Sequence, residues 1–474
     1  MAAASFVGFL LIFAIIGGLS SMRRQQTTDD YLVAGRNVPP WLAGLSAVAT
    51  NNSGYMFIGM IGLTYTTGLS SIWLMIGWIL GDFAASLLIM KKVRLVAEAQ
   101  NIHSFGGLLA QWHDTEFNLL RRVSGVLTII FLGTYAAAQF TAGSKALHVL
   151  FGWDLSTGAI IGAFLVLLYS YSGGIRASIW TDAAQSFVML VSMFMLVWAA
   201  ADSLGTPAHI VHALVQVSPN YMHWFPAHTW LGAALFVGGW IFAGFGVAGQ
   251  PHIVIRYMVL DDVDNINRFR AYYYAWFIAF YSATIVVGLL ARLLIPHAGS
   301  FDPELALPLI SQQLLPGVLV GLMLAGLFAA TMSTADSLVL SCSASLTRDL
   351  VPGRKSGYAG TKLATGAVVL IALALSLSGD KSVFALVLIA WGMLASAFVP
   401  LMAVYALGRR PSERTALAMM GTGVTVFLLW RALGLSHIAY EVMPAIVAGL
   451  AIYAVVPERR QPVAPEQQAV EVDQ

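Results

Sequence analysis

Runs of apolar residues about twenty long, separated by short polar stretches, recur along the whole chain. They fall at about 4 to 22, 42 to 68, 70 to 90, 123 to 147, 155 to 173, 178 to 201, 229 to 249, 271 to 295, 315 to 346, 360 to 379, 383 to 407, 415 to 431 and 440 to 456. At roughly 20 apolar residues per bilayer crossing, this pattern predicts thirteen membrane-spanning helices in one all-α polytopic unit over residues 1–457. The first run has no basic segment before it and no small-residue cleavage site. It reads as an uncleaved anchor with its amino terminus outside.

Charge placement tests this count. With the N-terminus outside, the inside loops hold Arg23, Arg24, Arg36, Lys91, Lys92, Arg94, Arg121, Arg122, Arg176, Arg256, Arg268, Arg270, Arg348, Arg354, Lys355, Lys362, Arg409, Arg410, Arg414, Arg459 and Arg460. Outside fall only Lys145, Arg292, Lys381 and Arg431, the asymmetry that the positive-inside rule expects. The expectation is a multi-pass protein of a bacterial-type cytoplasmic (inner) membrane, with its C-terminus inside. Residues 458–474, rich in Pro, Gln, Glu and Val, read as a disordered cytoplasmic tail.

Composition agrees with the pattern. Of 474 residues, 58% are hydrophobic and 10% charged, against roughly a quarter charged in an ordinary soluble domain. A soluble enzyme is thereby excluded. The formal net charge is +2, and no basic tract could follow a nucleic-acid backbone, so nucleic acid is not an expected partner. The single cysteine, Cys342, lies in an apolar run, allows no intramolecular disulfide and reads as a buried small hydrophobe. The histidines form no H-E-x-x-H pattern, and His209, His212, His223 and His228 belong to a polar external loop. No cofactor, enzymatic chemistry or obligatory protein partner is expected.

Two predicted spans contain residues that break helices. Ala49-Thr50-Asn51-Asn52-Ser53-Gly54 places four hydrogen-bonding side chains and a glycine in the second. The seventh ends in Ala243-Gly244-Phe245-Gly246-Val247-Ala248-Gly249-Gln250-Pro251. Backbone that leaves the helix at membrane depth normally lines a cavity or binds an ion. The two spans each open a block of five, about 42 to 201 and 229 to 407. Interrupted segments at matching positions of two halves point to an inverted-repeat secondary transporter with its site at the breaks. Glycines that serve close helix packing are the alternative for the seventh span.

The ninth span adds Ser333, Ser337, Ser341 and Ser345 at four-residue spacing, one polar stripe, with Thr334 and Asp336 beside its start. Hydroxyl and carbonyl oxygens can replace the hydration shell of Na⁺, and an intramembrane aspartate usually marks an ion or proton path. Ser341 and Ser345 read as bonding to their own i−4 carbonyls. Asp182, beside Thr181, Gln185 and Ser186, is either an ion ligand or an acid at a helix start. Asp82 is a third acid within a span, with no partner legible in the sequence.

Three stretches resemble the sodium:solute symporter family, in its proline-symporter-like branch: GGIRASIWTDAAQ at 173 to 185, GQPHIVIRYM at 249 to 258 and ATMSTADSLVLSCSASLTRD at 330 to 349. The resemblance implies a LeuT-type 5+5 inverted repeat with one extra helix before and two after. It implies a sodium site from the backbone carbonyls of Ala49, Asn52 and Ala330 and the hydroxyls of Ser333 and Thr334. A second ion or proton site falls on Asp182, Asp336, Ser333 and Ser337. Substrate falls around Asn51, Ser53 and Gly54 against Ala243, Val247 and Pro251 of the seventh span. Proline symporters carry an aspartate where Asn51 stands, and a tryptophan and a tyrosine where Ala243 and Val247 stand, which implies a reshaped pocket here, with Trp240 or Phe245 as replacement walls.

The expected function is Na⁺-coupled symport of a small organic solute, with proline or a related amino acid the leading candidate. The partners implied are that solute, Na⁺ and the lipid bilayer. The alternatives are proton coupling through Asp182 and Asp336, and a transporter-like solute sensor.

Overall fold

The computed structural model describes residues 1–21, 27–226, 229–296, 299, 301–350, 357–378 and 382–456. Arg23, Arg24, His228, Arg354, Lys355, Lys381, Arg459, Arg460 and the 458–474 tail lie outside the described residues.

Apolar side chains that no longer need water favour helices here, because a helix satisfies its own backbone polar groups. The helices include α1 Ala2–Ser21, α2 Pro40–Asn51, α3 Ile61–Thr67, α4 Ile72–Ala85, α5 Asn118–Phe151, α6 Leu155–Leu204, α7 Trp230–Phe245, α8 Pro251–Met258, α9 Ile266–Leu294, α10 Gly317–Ala344, α11 Tyr358–Leu377, α12 Val383–Ala406, α13 Glu413–Ala432 and α14 Val442–Val455. Among the described residues, ten helical stretches are long and apolar enough to cross a membrane. One of them, Tyr55–Ala99, turns at Gly68 (φ +76°) and so holds the end of the second predicted span and all of the third. The shorter apolar helices Leu155–Leu168 and Val442–Val455 stand where the fifth and thirteenth are expected.

Helix α6 is continuous in hydrogen bonding but not in direction. Gly174 takes φ +57°, ψ −145°, a conformation open to glycine and strained for other residues, and divides the fifth predicted span from the sixth. Tyr31 explains the need, since a Cβ on Gly174 would run into its carbonyl and ring.

Burial sorts the helices into an inner and an outer set. In α10 the apolar window is 83% buried, against 17% in α1, so the serine-rich helix is central and α1 peripheral. Phe164, Trp198, Leu363 and Leu370 on the outer helices stay exposed, as a lipid-facing surface requires.

Both predicted breaks are present. The second span leaves α2 after Asn51, with Asn52 at φ −92°, ψ 71°, and resumes in a π turn, Tyr55–Met60. The seventh leaves α7 after Phe245, passes a 3₁₀ turn at Gly246–Gly249 and an extended Gln250, then restarts at Pro251. Proline at the first position of α8 donates no hydrogen bond there and so loses nothing.

One element of the charge reading is corrected. Arg256, assigned to an internal loop, is fully buried on α8 in an ion pair with Asp182. Lys145 is buried too, and pairs with Glu304 at 2.7 Å and Asp302 at 2.8 Å. Both side chains balance buried or interfacial acids, a requirement that a count of loop charges cannot detect.

Candidate functional site

The second-span break frees backbone donors that lipid could not satisfy, and neighbouring side chains take them up. Gln139 Oε1 on α5 accepts from Gly54 N at 2.9 Å, Ser53 Oγ accepts from Tyr55 N at 3.1 Å, and Asn52 Nδ2 donates back to the Val48 carbonyl at 2.9 Å. Tyr135 donates to Ser53 Oγ at 3.1 Å. Gly54 has no room for a side chain: a Cβ would lie 2.6 Å from Thr331 Cγ2 and 3.0 Å from Ala142 Cβ. The break is thus wedged between α5 and α10.

On α10 the first two serines and Thr334 meet α2. Ser333 Oγ lies 3.3 Å from the Ala49 carbonyl and 3.2 Å from that of Ala330, while Thr334 donates to the Thr50 carbonyl at 3.0 Å. Thr50 in turn donates to the Ser333 carbonyl at 2.9 Å and lies 2.6 Å from Ser337 Oγ. Ala49, Ala330, Ser333 and Thr334 are buried at this junction, where carbonyl and hydroxyl oxygens of two elements converge in the donor chemistry that suits Na⁺, and Asn52 is buried at the break that follows α2. Ser341 bonds its own i−4 carbonyl at 2.9 Å.

One turn along lies a polar cluster. Ser178 donates to Asp336 at 2.9 Å, Ser46 donates to Asp182 at 2.6 Å, and Ser337 lies 3.1 Å from Asp336. Arg256 reaches into the same cluster, 3.2 Å from Asp182. Thr181 and Ser186, expected beside Asp182, bond instead to carbonyls of their own helix. Ser46 and Arg256 had no signal in the sequence, since each comes from a different span, whereas Ser178 stands one turn before Asp182 on the same helix, a spacing that the sequence shows.

Asn51 points away from this cluster. Its amide donates to Tyr273 at 2.6 Å and to Asp82 at 3.2 Å, and Tyr273 and Tyr274 donate to the Asp82 carboxylate at 2.8 and 2.7 Å. Asp82 is therefore held by three partners from two other elements. Its environment is structural as well as adjacent to the break.

Beside Asn51 and Asn52 is a small cavity of about 10 Å³, room for roughly one water, walled by Tyr55, Trp78, Tyr135, Phe277, Tyr281 and Trp391. Of the seventh-span residues expected around substrate, Ala243 lies behind this wall and accepts a hydrogen bond from Trp391 Nε1 at 2.9 Å. Val247 is buried in the 3₁₀ turn, and Pro251 borders a separate narrow cavity with His103, Ser104 and Arg256. Trp240 stacks 6.4 Å from Trp78, one layer out from the cavity. Phe384 stacks on Tyr55 at 5.4 Å. Trp240 and Phe384 also border a larger vestibule of about 480 Å³, which contains His223, Arg431 and Glu441. Two aromatic pairs thus separate vestibule from inner cavity. At the opposite end, a polar cleft of about 540 Å³ is bordered by Asp29, His103, Arg121 and Arg348.

Comparison with known proteins bears on the fold and the family. The chain is 29% identical over 444 residues to the high-affinity proline transporter of Bacillus subtilis (strain 168), covering 91% of this chain and 93% of that one. It is 29% identical over 472 residues to a sodium/proline symporter of Staphylococcus aureus (strain USA300 / TCH1516), covering 94% and 90%. Among solved structures, a Na⁺-coupled sialic acid symporter in a substrate-bound outward-open state superposes with TM-score 0.76 at 19% identity, over 97% of this chain and 99% of that one. A nucleobase-cation-symport-1 family transporter in a closed conformation gives TM-score 0.56 at 14% identity, over 89% and 92%. These likenesses give the fold as that of the LeuT-type transporters. The sodium:solute symporter family profile matches residues 31–423. A multi-pass membrane protein built from broken, oxygen-lined helices and matched along most of its length by transporters rather than enzymes, this chain belongs to the sodium:solute symporter family.

Proposed function

We propose that this chain carries a small organic solute into the cell together with Na⁺, by alternating access between its two five-span blocks, about 42 to 201 and 229 to 407. Proline or a related amino acid is the leading candidate solute, because the proline transporters named above align with nearly the whole chain. The orientation that fits the charge pattern is N-terminus outside and C-terminus inside, in a cytoplasmic membrane.

The observation that carries this reading is the Ser333 hydroxyl, held within 3.3 Å of the Ala49 carbonyl on the broken second span and 3.2 Å of the Ala330 carbonyl. An ion seated among the carbonyls of Ala49, Asn52 and Ala330 and the hydroxyls of Ser333 and Thr334 ties α2 to α10. It favours the conformation in which the solute pocket beside Asn51, Ser53 and Gly54 is formed. On the seventh span, Ala243 supports Trp391 and Val247 shapes the turn behind it, while Pro251 restarts the helix on the inner side. At roughly 100 mV and a tenfold gradient, each Na⁺ supplies about 3.7 kcal/mol, enough for roughly 500-fold accumulation.

The test is uptake of labelled proline into proteoliposomes under an inward Na⁺ gradient and, separately, an inward H⁺ gradient. Uptake that requires Na⁺ is the expected result. Uptake driven by H⁺ in Na⁺-free buffer refutes sodium coupling and moves the coupling to Asp182 and Asp336. No proline uptake under either gradient refutes the candidate solute.

A further inference from the structure

The cluster that the sequence marks for a second ion already holds a cation. Arg256 stands on α8, the first helix past the seventh-span break, and its side chain is 0% exposed. Its guanidinium lies 3.2 Å from Asp182 Oδ2, 3.0 Å from Ser178 Oγ, 2.5 Å from Ser337 Oγ and 3.2 Å from Ser46 Oγ, and donates to the His252 carbonyl at 2.8 Å. Ser178 and Ser337 also touch Asp336. Asp182 and Ser337, two of the oxygens that would replace a hydration shell around a second Na⁺, are thus engaged by N–H donors, while Asp336 accepts from the Ser178 hydroxyl and lies beside that of Ser337. A guanidinium is a permanent cation with five N–H donors in a fixed fork, suited to a site of several oxygens.

Charge balance leads to the same place. Asp182 and Asp336, when ionised, bring two negative charges into a buried region, and Arg256 supplies one positive charge. Asp182 Oδ1 has no hydrogen-bond partner among the described residues, so the cluster retains unsatisfied negative potential. The neighbouring oxygen junction of Ala49 and Ser333 is linked to the cluster through Thr50, which contacts both the Ser333 carbonyl and Ser337. With both acids ionised, one Na⁺ at that junction completes neutrality.

We infer that Arg256 is a built-in cation that fills the second ion site, so that the transport cycle carries a single Na⁺. The inference rests on the Na⁺-coupled reading above and specifies its stoichiometry. It also gives the buried arginine a role distinct from helix packing: its charge travels with α8, whereas the ion at Ser333 is released.

Equilibrium binding of ²²Na⁺ to the purified full chain in nanodiscs, without solute, tests it. Wild type is expected to bind one Na⁺ per chain, Arg256→Gln two, and Arg256→Lys one. Adding Asp182→Asn to Arg256→Gln is expected to return the count to one. Two Na⁺ in wild type overturns the inference whatever becomes of the variants. One Na⁺ in an Arg256→Gln protein that keeps the wild-type gel-filtration profile overturns it as well. No Na⁺ bound to wild type overturns the sodium-coupled reading itself, which separates that failure from the other two.

Discussion

The Asn51 amide and the Asp82 carboxylate, from consecutive predicted spans, meet across 3.2 Å, and Tyr273 donates to the same carboxylate oxygen at 2.8 Å. An amide is suited to this position because it can donate to the acid. A carboxylate at 51 would place two like charges in contact, a repulsion of about 1 to 4 kcal/mol between the limits of water and a protein surface. Asn51→Asp is therefore expected to lower thermal stability and uptake, and Asn51→Asp with Asp82→Asn to recover much of both. Melting curves and uptake for the three proteins check this, and failure of the double variant to improve on the single one refutes the pairing.

Ser333 and Thr334 contribute the two hydroxyls of the proposed sodium junction. Ser333→Ala with Thr334→Ala is expected to raise the half-saturating Na⁺ concentration at least about tenfold, the equivalent of roughly 1.4 kcal/mol. Uptake titrated with NaCl at constant ionic strength gives the value. An unchanged Na⁺ dependence would remove both residues from the site.

Gly54 is hemmed in by Thr331 Cγ2 at 2.6 Å and Gln139 Oε1 at 3.1 Å from the position of a Cβ. Gly54→Ala is expected to cost about 1 to 3 kcal/mol, the usual range for overpacking, and to disturb the Gly54 N to Gln139 bond. Thr331→Ser removes the clashing methyl and is expected to restore part of the loss. Denaturation midpoints of the single and double variants decide whether the contact is the cause.

The aromatic pair Tyr55 and Phe384 separates vestibule from inner cavity. With Cys342 replaced by Ala, a cysteine introduced at Met56 beside the cavity can report access from the vestibule side. Phe384→Ala is expected to speed its modification by a membrane-impermeant thiol reagent several-fold. Equal rates with and without Phe384 would show that the ring does not bar the route.

His103, in the polar cleft outside the spans, has its ionisation pushed below the ordinary histidine range by burial, which outweighs the opposing pull of the Asp29 carboxylate. The unfolded chain therefore takes up this proton at higher pH than the folded one. Stability is expected to fall as pH drops below about 6.5, the unfolded value. His103→Gln is expected to flatten that part of the melting temperature against pH curve, and a variant curve parallel to wild type would refute the assignment.

Which segments are helices was legible from the order of residues alone, because lipid leaves the backbone no other partner and apolar runs must reach across it. That order also located both breaks, since Asn51-Asn52-Ser53-Gly54 and Gly249-Gln250-Pro251 carry residues that fail as helix formers whatever surrounds them. The serine stripe was legible as one polar face, since its four-residue spacing puts the hydroxyls on one side of the helix, but that this helix is central came from the packing.

Which polar groups meet was set by the packing of the helices. Asp82 had no partner until α9 brought Tyr273 and Tyr274 to it, and Arg256 resembled a loop cation until α8 carried it to Asp182. The aromatic wall of Trp78, Tyr135, Phe277 and Trp391 comes from four elements distant in sequence, each reading alone as ordinary apolar helix. Periodicity along one helix constrains which of its residues share a face, but not which neighbour that face meets. Pairing of buried charges depends on contacts between helices, and those are set by packing of the whole bundle.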